Sequence, residues 1–159
     1  MSKLSLCLWF DKDGEDAANF YVQTFRQMGR EAAIGKIARY GPAGPGPQGS
    51  VMTVTFTLDG LEFMALNGGP IHQHSHAVSL MVACADQAEL DGFWSRLLDS
   101  GREVQCGWLT DRFGFSWQIV PADLEHLISG DQGRSNRVMA ALMDMVKIDI
   151  AALERAAAA

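Results

Sequence analysis

Gly107 to Pro121, GWLTDRFGFSWQIVP, decides how this chain is read. Asp111-Arg112-Phe113-Gly114 has turn chemistry, because Asp can bond its own backbone and Gly supplies a positive φ. The residues on either side then form a tight hairpin whose second strand runs from Ser116 to Val120. That strand carries Trp117 and Gln118, bulky groups able to line a cavity. What stands at Gln118 limits what the protein can do.

Working outward, the chain repeats one plan. Leu4 to Phe10 (LSLCLWF) is a short apolar run, read as a buried strand. Asp13, with Asp16 at the third position, predicts a capped helix through Phe20, Tyr21 and Phe25 that ends near Gly29. Glu31 to Tyr40 is a second strand. Ser50 to Leu58 alternates, with Met52, Val54, Phe56 and Leu58 on one side and Thr53, Thr55 and Thr57 on the other, the pattern of a half-buried strand. Asp59-Gly60 is a hairpin turn, and Leu61 to Asn67 is the returning strand. In the second half His76 to Ala83 reads as a strand. Asp86 and Glu89 form a capping box for a helix through Leu90, Phe93, Trp94, Leu97 and Leu98 to Gly101. Arg102 to Cys106 then leads into the opening hairpin. Asp13 precedes Phe20-Tyr21 as Asp86 precedes Phe93-Trp94, and Gly29-Arg30 matches Gly101-Arg102. The expected fold is α+β, with two paired βαβββ modules forming curved sheets around a cleft and helices at the C-terminus. All 159 residues are expected to form one domain. Its parts are module one at about 1–70, module two at about 71–121 and a helical extension at about 122–159. In the extension the predicted helices are Leu124 to Ser129, Asn136 to Met145, and a last one capped by Asp149, all serving core or subunit packing.

Composition excludes several classes of function. With 48% hydrophobic and 20% charged residues the chain is globular. A net charge of -6 argues against nucleic-acid binding, which needs a basic face. No apolar run approaches the roughly 20 residues of a membrane span. Met1-Ser2-Lys3 leads directly into strand-like sequence, so no leader is expected. Cys7, Cys84 and Cys106 form no closed set of pairs, which favours free thiols in a reducing cytoplasm.

Several groups could carry chemistry. His72, His74 and His76 stand two apart, which on an extended chain places them on one face. Solvated histidines remain the simpler reading. Cys106 has no local group to depress its pKa and is expected to be a buried structural thiol rather than a nucleophile. Gly41 to Gly49 (GPAGPGPQG) excludes helix and central strand; it is a plain connector or a mobile loop over a pocket. It lacks the spacing of a phosphate-binding loop. Trp9 and Trp117 are pocket candidates that could equally fill a core. Thr53 and Ser79 are mid-strand polar groups able to orient a ligand, and Asn67 could serve a ligand or a local turn.

LWFDKDGEDAANFY and DRFGFSWQIVP, set in two βαβββ units, resemble the vicinal oxygen chelate (glyoxalase, bleomycin-resistance and dioxygenase) superfamily. RYGPAGPGPQGSVMTV, FMALNGGP, QCGWLTDRFGFSWQIVP and VMAALMDMVKIDIAALE resemble the PhnB-like, demethylubiquinone 3-methyltransferase-like proteins, over nearly the whole chain. The resemblance implies paired modules, commonly a homodimer. In metal-dependent members a divalent ion is held at four strand positions, the last a Glu in D-P-x-G-x-x-x-E. Asp111 and Gly114 fit that pattern and Gln118 takes the Glu position. The other three fall near Ser5 or Cys7, Ala65 or Asn67, and His76 or Ala77. A hard divalent ion held by His76 and Gln118 alone would be weak, so no cofactor is expected. The expected function is metal-free binding of a small molecule between the modules, with contacts from Trp9, Thr53, Asn67, Ser79, Trp117 and Gln118. The alternative is an enzyme: a lyase, isomerase or dioxygenase of the superfamily type, or a methyltransferase as the family label suggests. No Gly-rich strand-to-helix turn for S-adenosylmethionine is visible.

Overall fold

The computed structural model describes residues 4–159, so Met1-Ser2-Lys3 and the reading made from them lie outside the described residues. The chain divides into two compact units between His74 and Ser75. Each contains a four-stranded mixed sheet with a helix on one face.

In the first unit the elements are β1 (Leu6–Phe10), α1 (Gly14–Gln27), β2 (Ala32–Arg39), β3 (Val51–Leu58) and β4 (Leu61–Asn67), with sheet order β1-β4-β3-β2. β1 pairs parallel to β4, and the other neighbours are antiparallel. Alternation places Val54, Phe56 and Leu58 in the core, as the Ser50–Leu58 pattern predicts. The apolar stripe of α1, formed by Ala17, Ala18, Tyr21, Val22 and Phe25, is buried. Tyr21 stands 6.1 Å from Phe56, whose ring stacks on Phe63 at 4.9 Å.

Asp13 precedes α1, but its side chain makes no capping bond. The first helical N–H, on Gly14, instead donates to Asn67 Oδ1 at 2.8 Å, from the far end of β4. Asn67 Nδ2 donates to Val51 O at 3.1 Å, and the Asn67 carbonyl accepts from Tyr40 Oη at 2.5 Å. Asn67 therefore ties α1, β3 and the end of β2 together. A half-buried Asp competes poorly here with a buried amide whose bonds are made within the protein.

Gly41 to Gly49 is organised by Tyr40, which is buried. Tyr40 N donates to Ser50 O at 2.9 Å, and Gly49 N donates to Tyr40 O at 2.8 Å. A Cβ at Gly46 would stand 2.4 Å from the Tyr40 ring, so the loop can wrap the ring only because glycine is there. The segment is a connector closed around an aromatic ring, and a cleft of about 570 Å³ beside it is lined by Asp11, Glu15, Asp16 and Tyr40.

The second unit repeats the plan with β5 (Ser79–Cys84), α2 (Gln87–Leu97), β6 (Arg102–Glu103), β7 (Trp108–Thr110) and β8 (Ser116–Pro121), in the order β5-β8-β7-β6. The capping box forms: Glu89 N donates to Asp86 Oδ1 at 2.9 Å, and Glu89 Oε2 accepts from Ala85 N at 2.7 Å. Two strand expectations and the burial of Cys106 need correction. β5 begins at Ser79, which leaves His76 in a turn. β6 ends at Glu103. Cys106 lies beyond it at φ 60, only partly buried, with Sγ 3.7 Å from Met143 Sδ.

The opening hairpin is built on a buried carboxylate. Asp111 Oδ1 accepts from Phe113 N at 2.8 Å and Phe115 N at 3.0 Å, and Oδ2 accepts from Trp117 Nε1 at 2.8 Å. Gly114 N closes the turn onto Asp111 O at 3.0 Å. Trp117 is fully buried, with Phe115 edge-on at 5.6 Å.

α3 (Leu124–Ile128), α4 (Gln132–Met143) and α5 (Ile150–Ala158) form the C-terminal extension. α4 starts earlier than the apolar pattern predicts, because Asp131 caps it through Arg134 N at 2.7 Å. Asp149 caps α5 through Ala152 N, as expected. The extension is tied to its unit by Gln87, which donates to Ile148 O at 3.1 Å and accepts from Ile150 N at 2.9 Å. Lys147 pairs with Asp91 at 2.7 Å. The hydrogen bond from Lys147 comes first, and that from Gln87 second, in holding the Asp91 carboxyl below its ordinary pKa. This tether contributes above the usual carboxylate range and weakens as pH falls through the lowered pKa.

Asp111→Ala strands three donors and removes the anchor of Trp117. The expected loss is about 3 kcal/mol in urea unfolding. A loss below about 1 kcal/mol would show that the carboxylate does not organise the hairpin.

Candidate functional site

Because neighbours in register project to the same side of a sheet, the strand registers sort the six candidate residues. In the second unit Met81 and Trp108 both stand opposite Gln118, and Ser79 and Thr110 both stand opposite Ser116. These six residues share the face away from α2. Leu109, Val82, Trp117 and Ile119 belong to the other face and are buried. Trp117 is thus a core residue and its indole N–H is spent on Asp111. It is not a pocket wall. Its bulk suggested a cavity, but its odd position relative to Gln118 sends it into the core.

Gln118 is partly buried, and its Nε2 donates to Ser79 Oγ at 2.8 Å. The amide oxygen, the second amide N–H and the Ser79 hydroxyl hydrogen remain available from this pair. Next to it, Ser116 Oγ and His76 Nδ1 are 2.9 Å apart, and the His76 ring stands 6.1 Å from Trp108, edge-on. Thr110 Oγ1 is buried and has no hydrogen-bond partner among the described residues. Sequence reasoning passed over Thr110, Ser116 and Met81. Parity counted from Gln118 across the hairpin would have found the first two.

In the first unit Trp9 and Thr53 both stand opposite Leu66, so the three form a row across β1, β4 and β3 on the face away from α1. Trp9 is fixed: Nε1 donates to Gly69 O at 2.8 Å, and His72 packs edge-on at 4.8 Å. His74 packs on Phe10 at 5.1 Å. Asn67 lies on the helix side, 8% exposed, with its amide spent on Gly14 and Val51. Four of the six candidates therefore lie on helix-free faces: Trp9 and Thr53 in the first unit, Ser79 and Gln118 in the second.

The positions proposed for a divalent ion shift in the same way. Ala65 and Asn67 face α1, and the helix-free residues of β4 are Met64 and Leu66. On β5 the residue bonded to Gln118 is Ser79, not His76 or Ala77. Cys7 is on the helix-free face of β1, where burial raises its thiol pKa and favours the neutral form. The set around Gln118 is an amide, hydroxyls and an imidazole whose Nδ1 is already bonded, and without a carboxylate such neutral groups hold a hard divalent ion weakly. Among the described residues no group of three or more His, Cys, Asp or Glu side chains could hold a metal. These residues do not fit the ion.

Two βαβββ units of identical strand order give the chain a glyoxalase-like fold. More narrowly, the chain belongs to the 3-demethylubiquinone-9 3-methyltransferase family, whose sequence profile matches residues 2–120. The PhnB protein of Bacillus cereus is 34% identical, with a TM-score of 0.64, over 76% of this chain and 98% of that one. A Pseudomonas aeruginosa protein is 19% identical with a TM-score of 0.59, over 76% and 97% of the two chains, and shares the fold. So does a variant of the fosfomycin resistance protein FosX of Listeria monocytogenes, solved with Mn(II) and a dihydroxypropylphosphonic acid. It is 13% identical with a TM-score of 0.50, over 81% and 99% of the chains. No curated protein matches the sequence. The family match ends before α3, so VMAALMDMVKIDIAALE and the extension it belongs to lie outside the matched residues.

Gln118→Glu supplies one carboxylate but leaves Ser79 and Met81 as its β5 neighbours. Mn(II) titration of this variant is expected to show less than about a twofold gain in affinity, since one carboxylate does not make a site. Micromolar binding or tighter would mean that the remaining ligands are already in place.

Proposed function

We propose that this protein binds a small aromatic or amphipathic molecule without a metal, using the helix-free faces of its sheets. Gln118 and Ser79 orient the ligand on the second unit's sheet. The Gln118–Ser79 bond carries this reading. It holds a neutral amide and a hydroxyl together at 2.8 Å, partly buried, on the same face as the unpartnered Thr110 hydroxyl and the Trp108 ring. Half-enclosed neutral donors and acceptors beside an aromatic ring suit hydrogen bonding to a carbonyl or hydroxyl on a flat ligand. The reading extends to a homodimer, as the resemblance implies, and to the cytoplasm, which suits three free cysteines. Among the described residues no helix is long and apolar enough to cross a membrane.

The family name suggests methyl transfer, and superfamily relatives suggest lyase, isomerase or dioxygenase chemistry. The β1-to-α1 turn, Asp11-Lys12-Asp13, has acidic residues where a cofactor-binding turn would have glycines, and Gly14 N is taken by Asn67. No observation favours these activities over binding.

A thermal-shift screen with naphthoquinones, S-adenosylmethionine and divalent ions separates the readings. In a chelator a naphthoquinone is expected to raise the Tm, and Gln118→Leu is expected to lose most of that shift. Stabilisation by S-adenosylmethionine alone would favour the methyltransferase, and stabilisation by Mn(II) or Zn(II) alone a metalloenzyme. Light scattering is expected to give about twice the chain mass of 17.3 kDa; a monomer at every concentration would contradict the dimer.

A further inference from the structure

The second unit carries a pair of soft sulfur donors away from its sheet faces. The loop between β6 and β7 runs against the end of α4. Cys106 N donates to Met145 O and Gly107 N to Val146 O, each at 2.8 Å, and Gln105 Nε2 donates to Met143 O. These three bonds hold Cys106 at φ 60, a left-handed backbone that disfavours a side chain. In that conformation Cys106 Sγ lies 3.7 Å from Met143 Sδ.

The surroundings are not those of a packing contact. Cys106 is only partly buried, and Met143 is 51% exposed. Met139, also exposed, stands one helical turn before Met143 and lies on the same face of α4. Methionines that served only the core would be buried, as Val138 and Leu142 of the same helix are. An unbranched, flexible side chain lets the Met139 thioether reach the Cys106–Met143 pair.

The spacing of the pair suits a shared ion. With metal–sulfur bonds of about 2.3 Å, two sulfurs at a tetrahedral or trigonal angle stand roughly 3.8–4.0 Å apart. Cys106 and Met143 are already close to that separation. Donor chemistry then selects the ion: thiolate and thioether favour Cu(I), whereas Mg(II), Ca(II) and Mn(II) take oxygen donors.

We propose that Cys106 and Met143, with Met139 as the third donor, bind one Cu(I) ion. The Cys106 thiol gives its proton to solvent, so one thiolate and two neutral thioethers hold the ion with no change in its oxidation state. The donors come from the β6–β7 loop and α4, so binding also ties the C-terminal extension to its sheet. The site shares no residue with the Gln118–Ser79 pair and stands whatever that pair binds.

Competition for Cu(I) against the chelator bicinchoninate, under argon with ascorbate, tests it. The wild-type protein is expected to withdraw one Cu(I) per chain, and excess Zn(II) is expected not to displace the ion. Met143→Leu keeps the volume and removes the sulfur, and is expected to lower Cu(I) affinity about tenfold. Cys106→Ser is expected to lower it about a hundredfold or more. With carbon-13 at the methionine methyl groups, the Met139 and Met143 signals are expected to shift on addition of Ag(I), a diamagnetic ion of the same preference, while that of Met52 stays. The proposal is overturned if the chelator loses no Cu(I), if Zn(II) displaces the ion, if either variant binds as the wild type does, or if the Met139 and Met143 signals do not move. Binding retained in Cys106→Ser and lost in Cys7→Ser would place the ion on the first unit's thiol, which also overturns it. Circular dichroism of each variant confirms that it is folded.

Discussion

A single buried carboxylate holds the second unit's hairpin in register. Asp111 is 3% exposed, and its two oxygens accept from Phe113 N, Phe115 N and the Trp117 indole. Burying a carboxylate is costly unless several donors replace water, and here three do. These bonds fix the turn and commit Trp117 to the core. Once Trp117 points inward, the period of a strand leaves Gln118 no choice but the helix-free face. The Ser79 contact, the pairing with Trp108 and the exclusion of Trp117 from any pocket all follow from that orientation.

The first unit has an analogous anchor of different chemistry. Asn67 receives the first N–H of α1, donates to β3, and offers its carbonyl to Tyr40. A neutral amide with donor and acceptor ends can join a helix start to a strand, which a carboxylate cannot do at both ends. In both units a polar side chain on the last strand or its hairpin is spent on architecture, and the polar groups left for a ligand are those on the opposite face.

Much of this was legible in the sequence because it is local. The alternation of Val51 to Leu58, the Asp59-Gly60 turn, the Asp86–Glu89 capping box and the Asp111–Gly114 turn each act within a few residues. The repeat of Asp13 and Gly29 by Asp86 and Gly101 made the two matching units visible. What could not be read depended on distant partners. Asp13 looks like a helix cap until Asn67, 53 positions away, supplies the bond. His76 looks like strand until Ser79 is seen to start β5 and His76 to turn onto Ser116. Trp117 and Gln118 were equal candidates until register placed them on opposite faces.

The family's fold carries here, on the last strand of the second unit, an amide bonded to a serine. The proposed ligand is therefore expected to be recognised by neutral hydrogen bonds, with no requirement for a divalent ion. The most direct measurement is an amide NMR titration with a naphthoquinone in excess chelator, following the side-chain NH2 of Gln118 and the backbone amide of Ser79. The prediction is that both resonances shift and saturate together, with the same curve after Mg(II) replaces the chelator. Shifts that appear only when the metal is present, or that leave Gln118 and Ser79 unmoved, would contradict it.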